Sequence, residues 1–161
     1  LEDDLVIHDP LLFHKISWFN SELGDEKLVL PNRVEFIDTP YSIQKLYIDG
    51  PAPSPALIPN PPPPLLAGSA AGKITYESPV NPHAGCFFLT HSQLKYWTKQ
   101  SSWQDGDISY ISPLESAATL GIAKNFTLYK PALPYAAWME IQHWGKSFLS
   151  QLSPPELSKN A

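Results

Sequence analysis

Apolar positions along this chain recur with helical spacing in some stretches and strand spacing in others, which predicts a mixed α/β architecture. Leu5-Val6-Ile7 is a short apolar run of strand type. Asp9 and Pro10 suit the N-cap and first position of a helix running to about Glu22, with Leu12, Ile16, Phe19 and Leu23 on one face and Gly24-Asp25 as its end. Leu28-Val29-Leu30 predicts a strand that continues as Val34-Glu35-Phe36 beyond Pro31, a proline that marks a break or a sheet edge. On such an edge Arg33 and Glu35 form a local ion pair; the alternative is that Arg33 holds a phosphate or an acceptor group.

From Asp38 to Ala71 the pattern is lost. Eight prolines between Pro51 and Pro64 forbid a helix or a central strand, so a long Pro-rich excursion over about 38–72 is expected from one domain spanning 1–152. Strand spacing returns at Lys73–Glu77 and, after a turn at 81–85, at Cys86–Leu89. Thr90 and Gln93 form a capping-box pair for a helix carrying Leu94 and Trp97. Ser112, Pro113 and Glu115 open a further helix with Leu114, Ala117, Ala118, Gly121 and Ile122 on one face. Asn125–Tyr129 predicts a strand stopped by Lys130-Pro131, and Tyr135–His143 alternates as a half-buried strand. The tail 153–161, with Pro154-Pro155 and few apolar residues, is expected to fray.

The chemistry starts at Glu2-Asp3-Asp4, three adjacent carboxylates flanked by Leu1 and by the apolar run. Strand alternation puts Glu2 and Asp4 on one face and Asp3 on the other. Their mutual repulsion calls for a positive partner, and carboxylate oxygens suit Mg²⁺ or Mn²⁺, which binds one or two protein carboxylates together with substrate phosphates.

Glu2-Asp3-Asp4-Leu5-Val6-Ile7, followed by Asp9-Pro10-Leu11-Leu12-Phe13, resembles the acidic metal motif of GT-A-fold glycosyltransferases, in the form of the N-acetylglucosaminyltransferase I group. The resemblance implies that Asp4 binds a Mn²⁺ or Mg²⁺ ion holding the diphosphate of a nucleotide-sugar donor. Glu2 or Asp3 then contributes through water or the ribose. Gly85-Cys86-Phe87-Phe88-Leu89-Thr90 looks like the glycine-led strand that lines the acceptor side. Glu115, with Gly121 beyond it, matches the catalytic base or acceptor-hydroxyl ligand of that fold, with Asp105 and Asp107 as alternatives; on local grounds Glu115 is a capping-box residue, and both roles are compatible. His143 matches the late histidine that completes the metal shell. The fold implied is a mixed sheet flanked by helices, an incomplete GT-A-type fold. A nucleotide-binding βαβ region is expected upstream, which makes the chain the carboxyl-terminal part of a longer enzyme.

Composition narrows the alternatives. With 161 residues, 43% of them hydrophobic, the chain is long enough to bury a core. A net charge of −5 and a single arginine argue against a nucleic-acid partner, and no apolar stretch is long enough to span a bilayer. The lone Cys86 excludes an internal disulfide and suits a reducing, cytoplasmic compartment, with the Golgi lumen as the alternative for a eukaryotic source. Two rival functions remain: a carbohydrate-binding module stacking sugars on Trp97, Trp103, Trp138 and Trp144, and a metal-dependent phosphoesterase built on the acidic triplet.

Overall fold

Eight strands divide into two four-stranded mixed sheets, and three α-helices pack against them in a computed structural model that describes residues 2–38, 40–50, 58, 60–69, 72–145 and 148. The elements are β1 (Leu5–Val6), α1 (Leu12–Leu23), β2 (Lys27–Val29), β3 (Asn32–Asp38), β4 (Ile43–Tyr47), β5 (Leu65–Ser69), β6 (Gly72–Glu77), α2 (His91–Trp97), α3 (Pro113–Ala123), β7 (Thr127–Pro131) and β8 (Glu140–His143). One sheet has the order β2-β7-β6-β5 and the other β1-β8-β3-β4. In each, one parallel pair, β2 with β7 and β3 with β8, sits among antiparallel neighbours. The expected tail at 153–161 lies outside the described residues.

Neighbouring residues of a strand face opposite ways, and the core around β2 and β7 follows that rule. Val29 and Tyr129 pack with Leu12, Ile16 and Phe19 of α1, whereas Leu28 and Leu128 pack with Ile122 and Phe126 on the α3 side. The apolar face predicted for α1 is the buried one, but the helix starts later. Asp9 Oδ1 accepts from Leu11 N at 2.8 Å and Asp9 O from Leu12 N at 3.2 Å, so Asp9-Pro10 forms a turn and Leu11 is the N-cap.

Pro31 is the expected break, not an edge: β2 ends before it, β3 begins after it, and the chain changes sheet there. Leu30 N donates to Tyr129 O at 2.8 Å in the first sheet and Asn32 N to Met139 O at 2.9 Å in the second; Pro31, with no N–H to place, bridges them. Asn32 Nδ2 donates across the junction to Pro131 O at 2.9 Å. β3 is therefore interior, between β8 and β4, and the expected edge ion pair is absent: Arg33 and Glu35 are buried and turn to different partners.

Other expectations fail where long-range pairing overrides local signals. The region 38–72 contains β4, which pairs with β3, and all of β5, which pairs with β6. Cys86–Leu89 joins no strand; the left-handed Gly85 (φ 65°) precedes it, and Gly85 O accepts from Glu2 N at 2.9 Å. α3 buries Ser116, Thr119, Leu120 and Ile122, whereas Leu114 is 81% exposed, so the predicted apolar stripe is rotated. β7 runs through Lys130 to Pro131, since a proline is tolerated as a terminal strand residue. Residues 133–138 form a 3-10 helix, and only Glu140–His143 is strand. Among the described residues no helix is long and apolar enough to cross a membrane.

Candidate functional site

The antiparallel pairing of β1 with β8 sets Leu5 opposite His143, so Asp4 lies beside the end of β8, where its carbonyl accepts from Trp144 N at 2.6 Å. Glu2-Asp3-Asp4 is not strand. Asp3 and Asp4 form a turn before β1, with Asp3 exposed and Glu2 and Asp4 partly buried. The expected inequivalence of the three acids thus arises from a turn and not from strand alternation.

His143 is 8% exposed and both its ring nitrogens face carboxylates. Nδ1 is 2.9 Å from Glu35 Oε1 and Nε2 is 3.1 Å from Asp4 Oδ2. Glu35, fully buried in β3, also accepts from Phe148 N at 3.3 Å. The ring thus lies between two carboxylates, one buried on β3 and one at the acidic turn, and Nε2 is the atom turned toward Asp4. Histidine metal ligands are commonly oriented in this way by an outer carboxylate.

His83 forms the other flank. Its Nε2 is 3.3 Å from Glu2 Oε1 and its Nδ1 2.9 Å from Thr119 Oγ1 on α3. Burial, assisted by the positive Arg33 and opposed by Glu115, pulls His83 down to about 4, so near neutral pH the ring is uncharged. Its Nε2–H then donates to Glu2 while Nδ1 accepts from the Thr119 hydroxyl. Glu2 is pushed above the ordinary carboxylate range by burial; Arg33 opposes this, while Asp4 and Glu115 add to it. Gly85 permits the arrangement, because a Cβ there would overlap the Glu2 carboxylate and lie 2.9 Å from Leu5 Cδ1.

Glu115 occupies the third position of α3, yet Ser112 makes no side-chain cap bond, so the predicted capping box is not formed. The box predicted at Thr90 and Gln93 is formed in both halves. Freed from a capping role, Glu115 turns Oε2 into the interior, where it is buried and has no hydrogen-bond partner among the described residues; Asp4 Oδ1 is in the same condition. Glu2, Asp4, Glu115 and His143 thus share one electrostatic neighbourhood, each of the other three acting on Glu2.

Asp107 and Asp105 do not join it. Lys124 Nζ, just past the end of α3, holds Asp107 at 2.6 Å and Asp105 at 2.5 Å. Nine residues of helix at about 1.5 Å each separate Lys124 from Glu115 by roughly 13 Å. The hydrogen bond to Lys124, with further ones from Ser109, lowers Asp107 to about 2, which makes it a poor proton acceptor. Arg33 gives its backbone N and its Nε to Asp49, each at 2.8 Å, and Lys130 Nζ meets the same carboxylate at 2.7 Å.

The tryptophans do not form one platform. Trp97 packs edge-on to Trp103, Trp138 packs against Trp18 beneath Lys15, and Trp144 is exposed after β8. Among the described residues no group of three or more His, Cys, Asp or Glu is placed to hold a metal ion. Sequence reasoning missed Glu35 and His83; the available signal for Glu35 was a charge in the middle of the apolar run Val34-Glu35-Phe36. Comparison with known proteins adds no relative to set beside this site: no protein-family model matches the chain, and neither a curated protein nor a solved structure matches it.

Proposed function

We propose that this chain carries the metal site and acceptor side of a GT-A-type glycosyltransferase that transfers a sugar from a nucleotide-sugar donor to an acceptor hydroxyl. The observation that carries the reading is the meeting of Asp4 and His143 from opposite ends of the chain, with Asp4 Oδ1 and Glu115 Oε2 buried and unpartnered and with Glu115 close enough to Glu2 to act on its charge. A surplus of buried carboxylate oxygen is costly unless a cation or a donor hydroxyl meets it. The donor set fits Mn²⁺ or Mg²⁺ held by Asp4 and His143 Nε2, with Glu35 fixing the imidazole. Such an ion stabilises the charge that develops on the leaving diphosphate.

The chain's own residues divide the remaining work. Glu115 accepts the proton of the acceptor hydroxyl through its unpartnered oxygen, as a general base. Glu2, bonded to neutral His83, holds the floor of the site; Asp3, exposed at the turn, is available to the nucleotide. Calorimetric titration of the natural full-length polypeptide with Mn²⁺ and UDP tests the assignment. Asp4→Asn should weaken UDP-dependent Mn²⁺ binding by about 10- to 100-fold, the size typical of disturbed metal sites, with an unchanged circular dichroism spectrum. Equal binding by the variant removes the central claim, and binding of free oligosaccharides without nucleotide would replace it with a carbohydrate-binding module.

A further inference from the structure

A cavity of about 270 Å³ between the end of α2, the loop 102–108 and α3 has no part in the roles assigned above. Its walls include Trp97, Trp103, Leu120, Asp105, Asp107 and Lys124. The planes of Trp97 and Trp103 stand at 80° with ring centroids 4.8 Å apart, so the two indoles form a corner. Trp97 is fixed in it: Phe87 and Phe126 meet it edge-on, and an added Cβ at Gly121 would already touch its Cζ2, at 3.4 Å. Trp103 is only partly buried. The chain leaves Trp103 through Gln104 at φ 64°, and among the described residues no other non-glycine residue adopts that left-handed region. This turn brings the Trp103 indole and the Asp105 carboxylate, which flank it, to one cavity. Asp105 and Asp107 share the single ammonium of Lys124, so the charged walls carry a surplus of one negative charge. Among the described residues side-chain cations lie over Trp138, Phe148 and Phe36, and neither indole of the corner is covered by one.

An indole face attracts a cation, most strongly one that gives up its water readily, and methyl groups on nitrogen supply both the weak hydration and the apolar contact. We propose that the cavity binds a methylated ammonium group of a small molecule, seated in the Trp97–Trp103 corner, with Asp105 and Asp107 as its counter-charge. A volume just below the range of drug-sized sites fits such a head group. A bare ammonium is strongly hydrated and gains less from the corner. A sugar ring stacks on one plane and leaves the second indole unused. The glycosyltransferase reading is not needed for this site.

The test is an NMR titration of the indole N–H signals with tetramethylammonium chloride and, separately, choline chloride, each against sodium chloride at matched ionic strength. A further arm uses the neutral carbon isostere of choline, in which a tert-butyl group replaces the trimethylammonium. Saturable shifts are expected at Trp97 and Trp103 with both organic cations, and the neutral isostere should bind more weakly than choline. Trp103→Leu should weaken binding by roughly 2- to 30-fold, the span of cation–ring attraction from exposed to desolvated sites. Asp107→Asn should weaken it by removing counter-charge, and Lys124→Gln should tighten it by removing a repelling charge; a purely apolar hollow responds to neither. These two variants change only a solvent-accessible ion pair, so they decide the matter even if Trp103→Leu fails to fold. Equal affinity for the neutral isostere, shifts reproduced by sodium chloride, or wild-type affinity in both Asp107→Asn and Lys124→Gln overturn the proposal.

Discussion

Asp49 gives the sharpest quantitative expectation, because a single carboxylate pairs with two buried cations. Its carboxylate accepts from Arg33 N, Arg33 Nε and Lys130 Nζ, with side-chain exposures of 6% for Arg33, 5% for Lys130 and 11% for Asp49 itself. Asp49→Ala leaves Lys130 without an ion-pair partner and takes two bonds from Arg33. Breaking a buried pair from one side costs about 3–5 kcal/mol. For a chain of this length each kcal/mol lowers Tm by about 2–4 °C, so a fall of roughly 6–20 °C is expected. Adding Lys130→Met removes the stranded charge, and the double variant should be more stable than Asp49→Ala alone. The pH dependence has a definite sign. Burial would raise Asp49, but Lys130 and Arg33 outweigh it and hold the carboxyl below its ordinary value. Its contribution is therefore present above the unfolded carboxyl pKa of about 3.9 and is lost as pH falls through the lower folded value. Urea unfolding of the three proteins between pH 3 and 7 measures all of this. A cost below about 1 kcal/mol, the level of an exposed pair, or a double variant less stable than Asp49→Ala, would refute the argument.

Two further expectations concern the candidate site. Glu115→Gln should lower turnover by about 10²-fold or more while nucleotide-sugar affinity changes little, and Asp107→Asn should leave turnover unaltered; steady-state kinetics showing the reverse order would shift the base to Asp107. His83, held at about 4 in the fold, binds fewer protons than the unfolded chain up to its ordinary value near 6.5. Its contribution is full above that value and lost as pH falls toward 4. Glu2, raised in the fold, pulls the other way above the ordinary glutamate value of about 4.3. His83→Gln should accordingly flatten the rise of urea midpoints across that interval, and an unchanged profile would show that burial does not hold the His83 ring uncharged in the fold.

Legibility in the sequence followed the range of the interaction. The face of α1 was readable because Leu12, Ile16 and Phe19 declare it within three turns, and the box at Thr90 because both partners lie within four residues. Sheet membership was not readable. Nothing local to Pro31 says that the chain leaves one sheet there for another, since the deciding bonds come from Tyr129 and Met139. The same holds for Glu35, whose partner His143 lies 108 positions away. Glu115 shows the limit from the other side: its local signal was a cap, and that signal was not used.

The pairing of β1 with β8 has an entropic consequence. Leu5 and His143 are 138 positions apart in the chain. Closing so long a loop costs roughly 2 kcal/mol more entropy than closing one of ten residues, and nothing repays it until β8 has docked on β3. With two residues, β1 has little pairing of its own to set against that cost, so the acidic turn owes its place beside His143 to β8 lying on β3.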